Sequence, residues 1–114
     1  MFYGEARRLL ERALSIREPN AYAHNNLGIA LAKQGKLEEA IGAWKESIRI
    51  EPADSMAHNN LGRAYFDQGK LDEALAELME ATSLDAENPL AHFNLGLVYL
   101  EQGLTAQAVA ELES

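Results

Sequence analysis

Apolar residues recur three and four positions apart along the chain, with polar positions between them. One stretch reads Leu37, Ala40, Ile41, Trp44 and Ile48, and another reads Leu71, Ala74, Leu75, Leu78 and Ala81. That spacing puts the apolar side chains on one face of an α-helix. The pattern also repeats as a unit. His24-Asn25-Asn26-Leu27-Gly28 recurs as His58-Asn59-Asn60-Leu61-Gly62 and again as His92-Phe93-Asn94-Leu95-Gly96, at a step of 34 residues. Gln34-Gly35, Gln68-Gly69 and Gln102-Gly103 keep the step, as do Ala40, Ala74 and Ala108. A fixed period of this length is the signature of a repeat architecture.

Each unit predicts two helices. Asn20, Asp54 and Asn88 are suited to N-caps, since their side-chain oxygens can accept from free amides of the first turn. Pro89 follows its cap at the first helical position, where a missing N–H costs nothing. The first helices run to about Gln34, Gln68 and Gln102, and the glycine after each suits a left-handed C-terminal cap. The second helices start near Glu38, Asp72 and Ala106, and Pro52 and Pro89 mark helix ends. Gly28, Gly62 and Gly96 fall in mid-helix, where glycine costs about 0.8–1 kcal/mol against alanine. Three such costs at one repeated position point to close helix approach, with Ala40, Ala74 and Ala108 doing the same on the second helices. A single helix pair cannot bury its apolar face, so neighbours must stack. The expected fold is all-α: a right-handed α-α superhelix, or solenoid, of stacked antiparallel helix pairs.

The period, with Leu27-Gly28, Ala40, Trp44, Ser47 and Pro52, resembles the tetratricopeptide repeat. The next copy gives Leu61-Gly62, Tyr65, Ala74, Leu78 and Ala81, and the third Leu95-Gly96, Tyr99, Ala108 and Leu112. His24, His58 and His92 stand where the family usually has Trp, Leu31 stands for a Tyr and Ala86 for a Pro; these are packing substitutions. The chain then divides into residues 1–20, the second helix of an incomplete repeat, residues 21–54 and 55–88, two repeats, and residues 89–114, a repeat truncated at its C-terminal end. In the first segment Tyr3, Ala6, Leu10, Ala13 and Leu14 align with Leu37, Ala40, Trp44, Ser47 and Ile48, while Arg7 takes the place of Ile41. Two expectations follow from these ends: a fragment of a longer array, or a homo-oligomer built through open repeat ends.

The family binds protein or peptide partners on a concave face lined by its first helices. The resemblance therefore implies a peptide-binding set of Tyr22, Asn25, Asn26, Ile29 and Lys33 in the first repeat. The second offers Met56, Asn59, Asn60, Arg63, Phe66 and Asp67, and the third Leu90, Phe93, Asn94, Leu97, Leu100 and Glu101. Asn26, Asn60 and Asn94 recur in mid-helix, where asparagine is a middling choice. They read either as a family habit or as a ladder of exposed amides for a peptide backbone. The ladder resembles that in the repeat arm of O-linked N-acetylglucosamine transferase-type proteins, so the arm of a longer enzyme is an open alternative. The helix from Pro89 is apolar nearly all round and is expected to be buried on more than one side. The clamp by which some family members grip an acidic chaperone C-terminus needs Lys at the positions of Asn25 and Phe93, Asn at Ile29, and Arg or Lys at Leu97. Here only its middle Asn60 is in place, so no such clamp is expected.

Composition narrows the chemistry further. The chain has 114 residues, 47% of them hydrophobic and 25% charged, with a net charge of −8. That sign disfavours nucleic acid or an anionic membrane as partner. Residues 55–88 concentrate it, with two basic residues against seven acidic ones; the surplus is a solvated face or a field that steers basic partners. There are no cysteines, and no apolar run approaches the ~18 residues of a membrane span. Arg7, Arg8, Arg12 and Arg17 are nearly balanced by Glu5, Glu11 and Glu18, a solvated helix face rather than a membrane anchor. The three histidines read as packing residues. Their repeat spacing is wrong for a shared ion, and no acidic partner is evident beside them. Neither nucleophile elbow nor phosphate-binding glycine loop is present. Glu38-Glu39 and Asp72-Glu73 are placed to favour helix N-termini. The expectation is a non-catalytic scaffold without metal or cofactor, cytoplasmic with the periplasm an open alternative. Its Gln-Gly-Lys-Leu-Glu-Glu-Ala style resembles many bacterial arrays.

Overall fold

The computed structural model describes Arg7 and residues 20–113. Among the described residues from 20 onward, six helices follow one another: α1 (Ala21–Lys33), α2 (Leu37–Ile50), α3 (Ser55–Asp67), α4 (Leu71–Leu84), α5 (Pro89–Glu101) and α6 (Thr105–Leu112). No strand occurs among the described residues. Every N-cap expected for a first helix is formed. Asn20 accepts from the Ala23 amide, Asp54 from Met56 and Asn88 from Leu90. Pro89 opens α5. The second helices begin one residue before the expected positions, a difference of the size at which helix ends are ordinarily defined.

The turn that closes each pair repeats three times. Gly35, Gly69 and Gly103 have φ of 80, 78 and 79°, a region that costs glycine nothing. The amides of Lys36, Lys70 and Leu104 then reach back to the carbonyls of Leu31, Tyr65 and Tyr99 at 2.9, 2.9 and 2.8 Å. This six-to-one bond satisfies carbonyls that a helix end leaves without partners. A three-residue turn of this shape reverses the chain, and cross-helix contacts confirm the direction. Ala21 meets Ser47 while Asn25 meets Trp44, so residue numbers fall on α2 as they rise on α1.

The described residues form two compact units, which meet in sequence between Ala53 and Asp54. In the first, α1 packs on α2. Leu27, Ala30, Leu31, Ala40, Ile41 and Trp44 are buried between or against them. Ser47 is also buried and donates to the Ala21 carbonyl at 2.7 Å. Arg7 pairs with Glu39 at 3.2 Å, which accounts for a charged residue at a position apolar in the other copies. The aligned residues Tyr3, Ala6, Leu10, Ala13 and Leu14, like Arg8, Arg12 and Arg17, lie outside the described residues. In the second unit α3 packs on α4, α5 on α6, and α5 also contacts both α3 and α4. Its core holds Leu61, Tyr65, Leu78, Ala81, Leu95 and Val98.

Glycine at the repeated mid-helix position is explained by the facing side chain. A Cβ on Gly28 would lie 2.5 Å from Trp44 Nε1, one on Gly62 2.6 Å from Leu78 Cγ, and one on Gly96 2.8 Å from Leu112 Cγ. Trp44, Leu78 and Leu112 are themselves one repeat apart. On the second helices Ala40, Ala74 and Ala108 have no exposed surface at all. Small residues thus let each pair approach closely, and the local helix cost is offset by interior packing.

Candidate functional site

The expected binding residues divide by burial. On α1, Tyr22 and Lys33 are exposed, Asn26 and Ile29 half-buried, and Asn25 buried. On α3, Met56, Arg63 and Asp67 are exposed, Asn60 and Phe66 half-buried, and Asn59 buried. On α5, Leu90, Phe93, Leu100 and Glu101 are exposed, Leu97 half-buried and Asn94 buried. The helix α5 is packed by more than one neighbour, as expected, but not all round. Ala91, Leu95, Gly96 and Val98 are buried, but Leu90 keeps 61% and Phe93 48% of its surface. It packs against α6 and against α3 and α4, and Leu90, Phe93 and Leu100 remain exposed on the face left over.

The asparagine row also departs from a ladder of free amides. Asn94 is 5% exposed; it donates to Asn59 Oδ1 at 2.9 Å and accepts from Arg63 Nη1 at 3.0 Å. Its partner is Asn59, one residue before the copy it aligns with. The reason is geometric. The α3–α5 contact sets side chains of neighbouring first helices against each other, and a buried amide needs partners within the protein. Arg63 is fixed further, with Nε donating to Asp67 Oδ1 at 3.2 Å and its guanidinium 5.7 Å from the centre of the Phe66 ring. Next to this cluster, Phe66, Asp67, Gly69, Leu71 and Glu101 line a surface pocket of about 370 Å³.

The histidines carry the largest correction. An acidic partner does recur. His58 Nδ1 lies 2.7 Å from Glu77 Oε1, and His92 Nδ1 lies 2.7 Å from Glu111 Oε1. The signal was a glutamate 19 residues after each histidine; the first repeat has Ala43 there instead. Adjacency in sequence misses it because the partner sits on the next helix of the hairpin. His92 has a second acceptor, the Ala86 carbonyl, 2.6 Å from Nε2. A neutral imidazole has one N–H and could satisfy only one of the two. The bond to Glu111 and then that to Ala86 raise the His92 pKa above its ordinary 6.5, burial opposing, with the charges of Glu111 and Glu87 adding to the rise.

A raised folded-state value means that this stabilisation is fully present below the unfolded value and is lost as pH climbs through the folded one. By NMR, the His92 ring should titrate above 6.5, and Glu111→Gln should bring its midpoint down. A midpoint at or below the ordinary value would contradict the two-acceptor geometry. Beside this pair Pro89, His92, Phe93, Glu111 and Leu112 line a second surface pocket of about 280 Å³.

Among the described residues no three His, Cys, Asp or Glu side chains are placed to hold a metal ion. Glu38 and Glu39 lie in the first turn of α2, and Asp72 and Glu73 in that of α4, where carboxylates favour the helix dipole. No described helix is long and apolar enough to cross a membrane.

Known proteins resemble the chain by repeat and by fold. The TPR repeat family matches residues 30–69 and 62–103, and a second tetratricopeptide repeat family matches residues 9–42. A search of curated proteins finds no match. Among solved structures, MamA superposes with a TM-score of 0.91 at 24% identity, over 97% of this chain and 65% of that one. YrrB, a TPR protein with an unusual peptide-binding site, gives 0.86 at 26% identity over 98% and 58%. The second TPR of Spaghetti (RPAP3), bound to the HSP90 peptide SRMEEVD, gives 0.80 at 24% identity over 96% and 94%. The chain thus spans less than two thirds of the MamA and YrrB chains. The fold it shares with them is all-helical, built from antiparallel helix pairs.

Proposed function

The chain belongs to the tetratricopeptide repeat family, and we propose that it is a non-catalytic module that holds a peptide segment of a partner protein against α3 and α5. The observation that carries this reading is the exposure of Leu90, Phe93 and Leu100 on α5, on a helix joined to α3 through Asn94, Asn59 and Arg63. Contiguous apolar side chains in water are a standing gain for any segment that covers them, worth about 25 cal/mol per Å² of apolar area removed from water. Polar groups next to them supply direction.

On α3 the docking set is Met56, Asn60, Arg63 and Phe66. Asn59 and Asn94 act from beneath, as supports rather than as contacts. In the first unit, taken by itself, Tyr22, Asn26, Ile29 and Lys33 are the candidates on α1. The peptide-binding site that names YrrB and the peptide held by the RPAP3 repeat domain support the same use of this fold.

Peptides selected from a displayed random library should bind the whole chain. Asn60→Ala combined with Phe93→Ala should then weaken them by about tenfold or more, the effect of losing residues at the centre of a contact. Unchanged affinity would place docking elsewhere on the molecule.

A further inference from the structure

We propose that Arg63 is the polar reader of the α3–α5 surface, and that it takes the side-chain carboxylate of a single internal Asp or Glu in the bound peptide. The proposal rests on the reading of that surface as a peptide-docking face and adds the chemistry it selects.

A guanidinium carries five N–H donors in a rigid fork. Arg63 spends one, from Nε, on Asp67 and one, from Nη1, on Asn94. The other Nη1 hydrogen and both on Nη2 have no partner among the described residues, and 45% of the side chain is open to solvent. The fork is nonetheless held in place. Asn94 is buried and is pinned in turn by Asn59, while Phe66 lies under the guanidinium at 5.7 Å. A long side chain fixed before binding loses less freedom on binding. An arginine that only balanced Asp67 would not need a buried amide on another helix to set its direction.

The acceptor that matches a planar fork best is a carboxylate, which carries the opposite charge and can take two parallel N–H bonds. Position along the helix selects an internal residue. Asn94, which marks where Arg63 reaches α5, has Leu90 and Phe93 before it and Leu97 and Leu100 after it. A peptide whose carboxylate sits on Arg63 therefore has apolar side chains of this protein on both sides. Charge selects a single carboxylate. Residues 55–88 hold seven acidic side chains against two basic ones, and that field repels an acidic run. This differs from a clamp for an acidic C-terminus, for which Phe93 and Leu97 supply no cation.

The library peptides that bind the chain provide the probe. Enriched sequences should share one Asp or Glu with apolar residues on either side. Synthetic copies should lose about tenfold in affinity when that acid becomes its amide, the effect of one charged hydrogen-bonded pair. Arg63→Gln should cost about the same, and the two changes together should cost no more than either alone. Amidation of the peptide C-terminus should change nothing. For Asn94 as a positioning residue, Asn94→Ala should weaken the acid peptide and leave its amide copy unaffected, with circular dichroism confirming the fold. Enriched peptides without an acid overturn the proposal, as does an acid-to-amide loss that is the same in wild type and Arg63→Gln. If such peptides still depend on Phe93, the docking face stands and only the role of Arg63 falls. If no peptide is enriched, both readings fall together.

Discussion

Leu78→Ala should destabilise the chain by about 3 kcal/mol, and adding Gly62→Ala should recover part of that loss although Gly62→Ala alone is harmful. Leu78 has no exposed surface, and Leu→Ala changes at such sites cost about 2–5 kcal/mol through lost transfer energy and the cavity left behind. In the wild type a Cβ on Gly62 would sit 2.6 Å from Leu78 Cγ and 2.8 Å from Cδ2. Gly62→Ala therefore forces a buried leucine to move, which costs about 1–3 kcal/mol. Against this stands about 1 kcal/mol from the better helix former. With Leu78 shortened the opposing atoms are gone. What remains is the Ala74 carbonyl oxygen at 3.3 Å, a contact that a small shift relieves. The same substitution should then stabilise by about 1 kcal/mol, from helix propensity alone. Urea unfolding of the four proteins, followed by far-ultraviolet circular dichroism, gives the cycle. Additive effects would mean that the close approach is not what keeps glycine at this position.

What could be read from the sequence follows from the range of the interactions involved. N-caps at Asn20, Asp54 and Asn88 and left-handed turns at Gly35, Gly69 and Gly103 are decided within a few residues, and each is formed as expected. The mid-helix glycines could be read as sites of close approach because the repeat shows one cost three times. Their partners emerge only once the hairpin sets Trp44, Leu78 and Leu112 against them. Side-chain pairs between helices were harder. Glu77 and Glu111 lie 19 residues from their histidines, a spacing that carries meaning only after the turn length is known. The amide row shows the same limit at the binding surface. Repeat register pairs Asn94 with Asn60, but the helices meet with an offset, and the bond goes to Asn59. An offset of one residue is set by how side chains interdigitate across a helix interface, which no periodicity encodes. It decides whether Asn94 is a contact or a support.

Trp44 is the anchor of the first unit, and its removal should have the largest effect of any single change. The indole is 5% exposed and donates from Nε1 to the Asn25 carbonyl at 3.1 Å. Trp44→Ala should cost about 4 kcal/mol, within the range for large aromatic residues cut back to alanine. Trp44→Leu installs the residue that stands one and two repeats later, at Leu78 and Leu112. It keeps an apolar side chain over Gly28 but loses the indole bond and leaves a smaller void, so about half that cost is expected. Gly28→Ala approaches the same contact from the other side, since its Cβ would lie 2.5 Å from Nε1. It should push the ring off the Asn25 carbonyl. Trp44 is the only tryptophan in the chain, so its emission reports this displacement directly, moving to longer wavelength as the indole meets water. The three variants together separate packing from hydrogen bonding. A Trp44→Leu chain as stable as wild type, or Gly28→Ala with unaltered emission, would show that the indole is not held between Gly28 and Asn25.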